Sequence, residues 1–121
     1  MNSHAPHLQQ GRQAEDTALD FLKRQGLRLI VRNYRCRRGE IDLIMEDGNT
    51  LVLVEVRYRK SSRFGDALES VTPQKQARLI YCASHYLSTT RVDKPVRFDV
   101  VAMMPDDGKT TVKWVRDAFQ A

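Results

Sequence analysis

Residues 39–60 read GEIDLIMEDGNTLVLVEVRYRK, and no other stretch restricts what this chain can fold into as much. Two runs rich in Ile, Leu and Val flank the turn signal EDGNT, which is the pattern of a β-hairpin. A two-residue loop at Gly48-Asn49 sets Asp42 opposite Glu55 and Glu40 opposite Arg57. A loop at Asp47-Gly48 shifts the pairing by two residues and keeps all four on one face, because side chains alternate along a strand. A three-residue loop without a compensating bulge would split the faces. Acids are poor strand formers and costly to bury. This hairpin therefore either exposes its charged face or binds something with it.

The rest of the chain supplies the partners that such a hairpin needs. From about Gln9 to Gln25, Ala14, Ala18, Phe21 and Leu22 recur at helical spacing, and Gly26 is a helix stop. LRLIVRNYR reads as a strand with basic residues interleaved. SSRFGDALES reads as a loop or irregular segment. Thr72 as N-cap and Pro73 at the first helical position start a second helix over VTPQKQARLIYCASHYL. Its apolar face is Leu79, Ile80, Ala83, Tyr86 and Leu87. After the loop TTRVDKP come the strand VRFDVVAMM, the turn PDDGK and the strand TTVKWVRDAF. The order α-β-β-β-α-β-β implies an α/β sandwich with helices over at least one face of the sheet. No repeat, low-complexity tract or linker interrupts it. The 121 residues make a single domain, with about the first eight residues expected to be flexible.

Composition excludes several classes. With 41% hydrophobic and 29% charged residues, the chain is an ordinary globular one rather than a disordered one. No apolar run approaches the roughly 18 residues of a membrane span. MNSHAPHLQQ lacks the basic and apolar regions of a signal peptide, so a cytoplasmic location with no membrane partner is expected. Cys36 and Cys82 form no CxxC pair, and two free thiols in a reduced compartment are the simplest account. His4, His7 and His85 offer no metal-ligand cluster.

The net charge of +5 suggests an anionic partner. Its distribution says more. Lys23, Arg24, Arg28, Arg32, Arg35, Arg37 and Arg38 fall in a stretch with no acid from Phe21 to Gly39, and Arg57, Arg59, Lys60 and Arg63 form a second group. The plain alternative is a solvated basic surface. Arginine outnumbers lysine in both groups, and its guanidinium fork matches phosphate oxygens, which favours nucleic acid.

The acids complete the picture. Opposed Cβ atoms in a hairpin lie about 4.5–5.5 Å apart. Two carboxylates that close repel unless a cation sits between them or one keeps its proton. All-oxygen ligands suit Mg²⁺ or Mn²⁺. A carboxylate-held divalent ion suits phosphodiester hydrolysis, and a cation at Arg57 would stabilise charge on the phosphate. For one acid, pairing with a neighbouring arginine is the simpler account. For acids at i, i+2 facing a second such pair in a basic chain, the functional account is preferred.

At these residues the sequence resembles a known family. GRQAED, RNYRCRRGEIDLI, LVEVRYR, VTPQKQ and RFDVV look like the YraN-like family of small bacterial proteins, over nearly all of the chain from about Gly11. That family is similar to PD-(D/E)xK nucleases and archaeal Holliday-junction resolvases. The resemblance implies a restriction-endonuclease-like fold with a mixed central sheet, and a metal-dependent DNA endonuclease, acting on branched or single-stranded DNA. It makes Glu15 the first-helix acid, Asp42 the motif aspartate and Glu55 the (D/E)xK glutamate; Glu40, which shares the strand face of Asp42, is the fourth candidate metal ligand. Arg57 stands where the pattern has lysine, and arginine stays protonated. Lys75, in the first turn of the second helix, is the candidate replacement, since Lys60 has the wrong strand parity. Lys75 and Gln76 also sit where a helix N-terminus favours anions. A resolvase-like role would require a homodimer. The rival readings are a nucleic-acid-binding module without catalysis and a protein-interaction scaffold. Asp99 in RFDVV is expected to be structural. Trp114 and most of Tyr34, Tyr58 and Phe64 are expected to pack in the core.

Overall fold

The computed structural model describes the backbone of residues 6–60 and 64–121. Helix α1 (Pro6–Arg24) starts a few residues before the expected Gln9, and its buried Ala14, Ala18, Leu19 and Leu22 form the predicted stripe. It ends at Gly26, whose φ of +98° lets the Leu27 N–H return to the Leu22 carbonyl at 3.1 Å. Then come β1 (Arg28–Cys36), β2 (Gly39–Asp47), β3 (Thr50–Tyr58), α2 (Phe64–Glu69), α3 (Pro73–Thr90), β4 (Val96–Asp106) and β5 (Lys109–Phe119).

The five strands form one mixed sheet in the order β1-β2-β3-β4-β5. Only β3 and β4 run parallel, and the α2–α3 crossover makes that pairing possible. The hairpin closes with Asp47 opposite Thr50, which selects the Gly48-Asn49 loop from the alternatives that the turn signal allowed. Helices cover both faces. On the α1 side Leu22 packs with Leu43, Met45, Val52, Val54, Val101 and Met103. On the α3 side Leu79, Cys82 and Tyr86 pack with Ile41, Ile44, Leu51, Leu53 and Phe98. Burial on both faces explains why β3 is a continuous apolar run up to Glu55.

Three expectations are corrected. The segment SSRFGDALES holds α2, whose Ala67 is fully buried while Leu68 packs against the α3-side core. A six-residue helix has no strong signal of its own, and tertiary packing holds it. The two cysteines are not free: Cys36, at the end of β1, is bonded to Cys82 on the buried face of α3, with Cα atoms 5.7 Å apart. Sequence spacing cannot show a contact across 46 residues. Finally, β4 continues through Pro105 and Asp106, and the turn tightens to Asp107-Gly108, both with positive φ, as a two-residue hairpin requires. Among the described residues no helix is long and apolar enough to cross a membrane.

Asp99 is structural, as anticipated. It is wholly buried, and its carboxylate accepts from Arg97 Nε at 3.0 Å, Trp114 Nε1 at 2.9 Å and the Asp117 N–H at 2.9 Å. The β4–β5 register shifts between Phe98 and Val100, and Asp117 has a φ of +52°. The carboxylate thus satisfies the donors that this bulge would leave unpaired. Trp114, half-buried, stands edge-on to Phe21 against the α1-side core.

Candidate active site

The alternation of β2 breaks at Asp42. Ile41 points into the α3-side core and Leu43 into the α1-side core, although residues two apart on an unbroken strand share a face. On β1 the flanking pairs are Arg32 with Leu43 and Tyr34 with Ile41, which leaves Asn33 facing Asp42. Asn33 has a φ of +55°, a conformation that asparagine tolerates better than most residues. On the other edge the recorded β2–β3 pairs stop at Leu43 and Val54. The end of β2 therefore opens at Asp42. Its Oδ2 accepts the Val56 N–H at 2.8 Å in place of a ladder bond.

This opening separates the four residues expected on one face. Glu40 turns toward α1, and Asn33 Nδ2 bridges it to Glu15, at 3.1 Å to Glu40 Oε2 and 3.0 Å to Glu15 Oε1. Carboxylate oxygens of Glu15, Glu40 and Asp42 all lie within 4.8 Å of one another. Glu55 has the parity of Leu51 and Leu53, toward α3, and is buried. Its Oε2 meets Arg57 Nη2 at 3.1 Å and Lys75 Nζ at 3.5 Å. Two acids enter from the α1 side and one from the α3 side, with Asp42 between them.

The charges are strained around Asp42. Burial, and then the neighbouring charge of Glu55, push its carboxyl up from the usual 3.8 to about 8, against the lowering effect of the Val56 N–H. Beside it lies a cavity of about 350 Å³ lined by Gly11, Ala14, Glu15, Asp42, Val56, Arg57, Tyr58 and Arg59. Arg57 is mostly buried, and its Nε has no hydrogen-bond partner among the described residues. Arg32 holds the α1 acids in place, with Nη2 at 2.6 Å from Asp16 and Nε at 3.5 Å from Glu15.

The remaining candidates divide. Lys75 reaches Glu55 because Thr72 caps α3, its Oγ1 accepting the Lys75 N–H at 3.2 Å. Gln76 is one residue further on, and its Nε2 donates to the Val71 carbonyl in the connection between α2 and α3 at 3.1 Å. Arg59 lines the cavity, whereas Lys60 lies exposed beyond the end of β3. Arg35 is exposed and pairs with Glu40 at 3.1 Å. Arg37 and Arg38 form the exposed β1–β2 turn. Arg63 lies outside the described residues. Asn33 was missed by sequence reasoning. Its signal was a lone asparagine within the strand-like run LRLIVRNYR, a residue depleted in strands and tolerant of positive φ.

Residues 14–103 match the uncharacterised protein family UPF0102. A UPF0102 protein of Nitrosococcus oceani is 55% identical over 118 residues, 96% of this chain and 95% of the relative. One from Methylococcus capsulatus is 50% identical over 119 residues, 98% of this chain and 95% of its own. One from Cupriavidus taiwanensis is 54% identical over 113 residues, 92% of this chain and 82% of its own. The family match spans the whole cluster, from Glu15 to Lys75.

Proposed function

This chain belongs to the UPF0102 family, the YraN-like family that its motifs resemble, and we propose that it is a divalent-metal-dependent DNA endonuclease. The observation that carries this reading is the convergence of Glu15, Glu40 and Asp42 oxygens beside an arginine-lined cavity. The donor set is all oxygen, which fits Mg²⁺ or Mn²⁺. A cation there would offset the burial and the Glu55 charge that together raise the Asp42 carboxyl pKa. Glu15, Glu40 and Asp42 would hold the ion, with Glu55 adjoining Asp42. When bound, it would supply charge to polarise the attacking water and the scissile phosphate.

The chain's own residues supply the rest. Arg57 and Arg59 line the cavity next to Asp42, so both guanidinium groups can meet phosphate oxygens there. Arg57 cannot take a proton. Lys75 can, and it stands against the same Glu55 oxygen from the opposite element. Lys75 thus fills the role of the lysine that Arg57 displaced from the motif, orienting Glu55 and carrying a proton at Nζ. The rival reading, a nucleic-acid-binding module without catalysis, draws on Arg57 itself.

The test is a cleavage panel of duplex, single-stranded, flap and four-way-junction DNA with Mg²⁺, Mn²⁺ or chelator. Cleavage of one of these that needs the metal and is lost in Asp42→Ala and Glu55→Ala supports the reading. Salt-sensitive binding without cleavage in any metal leaves the binding module.

Asn33 gives a separate prediction. Asn33→Gly keeps the left-handed backbone and removes the amide bridge. Its stability is expected to stay within about 1 kcal/mol of wild type. Its Mn²⁺ affinity by calorimetry is expected to fall about tenfold, the usual effect of losing an outer partner of a metal ligand. Unchanged affinity in this variant would show that the amide does not orient the acids.

A further inference from the structure

We propose that the exposed face of α3 carries a stacking subsite for an unpaired nucleotide of the DNA strand that occupies the cavity. The inference rests on the nuclease reading and assigns a substrate feature to it. Tyr81 is the only large apolar side chain exposed among the described residues. The Arg38 guanidinium lies over its ring at 4.9 Å from the centroid. Arg38, Gln74, Ala77, Arg78 and Tyr81 line an open pocket of about 350 Å³.

Its place in the fold connects it to the acids. Gln74, Ala77, Arg78 and Tyr81 recur at helical spacing, so they form one stripe along α3. The stripe begins beside Lys75, which contacts Glu55. The Cβ of Arg78 lies 3.5 Å from where a side chain on Gly39 would begin, and Gly39 precedes Glu40. A strand leaving the acid cluster on the α3 side therefore meets Arg78 and then Tyr81.

The chemistry selects the occupant. Helix α3 contains no Asp or Glu. Arg37 and Arg78 have no carboxylate partner among the described residues. These free guanidinium groups suit backbone phosphates. An exposed tyrosine ring set among arginines offers a base a stacking surface, as in single-strand binding sites. A base in a duplex is already stacked on its neighbours, so Tyr81 can engage only an unpaired one.

The test is fluorescence anisotropy with labelled oligothymidine and with a blunt duplex of equal length, under chelator so that nothing is cut. Wild type, Tyr81→Ala and Tyr81→Phe are compared after thermal melts establish that they fold alike. Tyr81→Ala is expected to weaken oligothymidine binding about tenfold, consistent with one base–aromatic stack, and to change duplex binding less than about twofold. Tyr81→Phe, which keeps the ring, is expected to bind both as wild type does. No loss on oligothymidine, equal loss on both DNAs, or a Tyr81→Phe as weak as Tyr81→Ala overturns the subsite. The two readings fail separately. Metal-dependent cleavage that needs Asp42, with oligothymidine binding indifferent to Tyr81, overturns only the subsite. The predicted Tyr81 pattern without cleavage in any metal overturns only catalysis. A wild type that binds neither DNA overturns both.

Discussion

Replacing Asp42 with asparagine is expected to abolish cleavage and, in the same protein, to raise the stability of the metal-free fold at pH 8. The two effects have one cause. The buried Asp42 carboxyl beside Glu55 holds its proton up to about pH 8, against a usual value of 3.8. Below pH 3.8 the folded and unfolded chains both carry the proton, and ionisation of this group costs nothing. As pH rises from there to about 8, the unfolded chain releases the proton while the folded chain retains it, so stability falls across that window and levels off above it. At about 1.36 kcal/mol per pKa unit, the penalty is several kcal/mol at most.

Asparagine keeps the oxygen that accepts the Val56 N–H and cannot ionise. The Asp42→Asn gain is expected to be about 2 kcal/mol at pH 8 and to vanish near pH 4. Thermal melts under chelator over this range measure it. Mg²⁺ or Mn²⁺ should stabilise wild type and leave the variant unmoved. A gain that does not depend on pH, or one that persists with cleavage intact, would detach Asp42 from the chemistry.

The second large effect concerns stability alone. Asp99→Ala removes the acceptor for the Arg97 guanidinium, the Trp114 indole N–H and the Asp117 backbone N–H. Burial opposes the charge of Arg97, and the hydrogen bonds and charges of Asp99 and Asp47 outweigh it, raising its pKa. Without Asp99 the guanidinium keeps only Asp47, at 3.0 Å. Leaving a largely buried charge half-paired and stranding two donors is expected to cost about 3–5 kcal/mol, a large part of the ~5–15 kcal/mol of a typical domain. Urea unfolding measures it. Divalent-ion affinity of the remaining folded protein should match wild type, because among the described residues Asp99 shares no partner with Glu15, Glu40 or Asp42. A loss below about 1 kcal/mol would mean that the bulge on β5 closes without it.

Much of this was readable from local pattern. The EDGNT signal marked the hairpin turn, Thr72-Pro73 the start of α3, and Gly26 the end of α1, because each depends on a few adjacent dihedrals, while the choice of Gly48-Asn49 over Asp47-Gly48 came from the strand pairing. The acids Glu40, Asp42 and Glu55 could be named because carboxylates in a basic, strand-forming chain need a reason to be there, whereas Glu15, on a helix, was named only through the family resemblance. How they meet was not readable. Parity along β2 assumed an unbroken ladder, and Asn33, on a different strand, breaks it at Asp42. The short α2 and the Cys36–Cys82 bond depend on packing between distant segments, which no window of sequence contains.

By itself, then, the sequence determined which residues form strands, that a tight turn near Gly48 joins β2 to β3 and which strand acids stand out, since these follow from short-range periodicity and backbone preference. Only the tertiary structure decided that Glu15 and Glu40 approach Asp42 from the α1 side while Glu55 and Lys75 meet from the α3 side. The physical reason is that a left-handed asparagine on one strand and a helix packed on the opposite face together place those charges. Each of these contacts joins residues far apart in the chain.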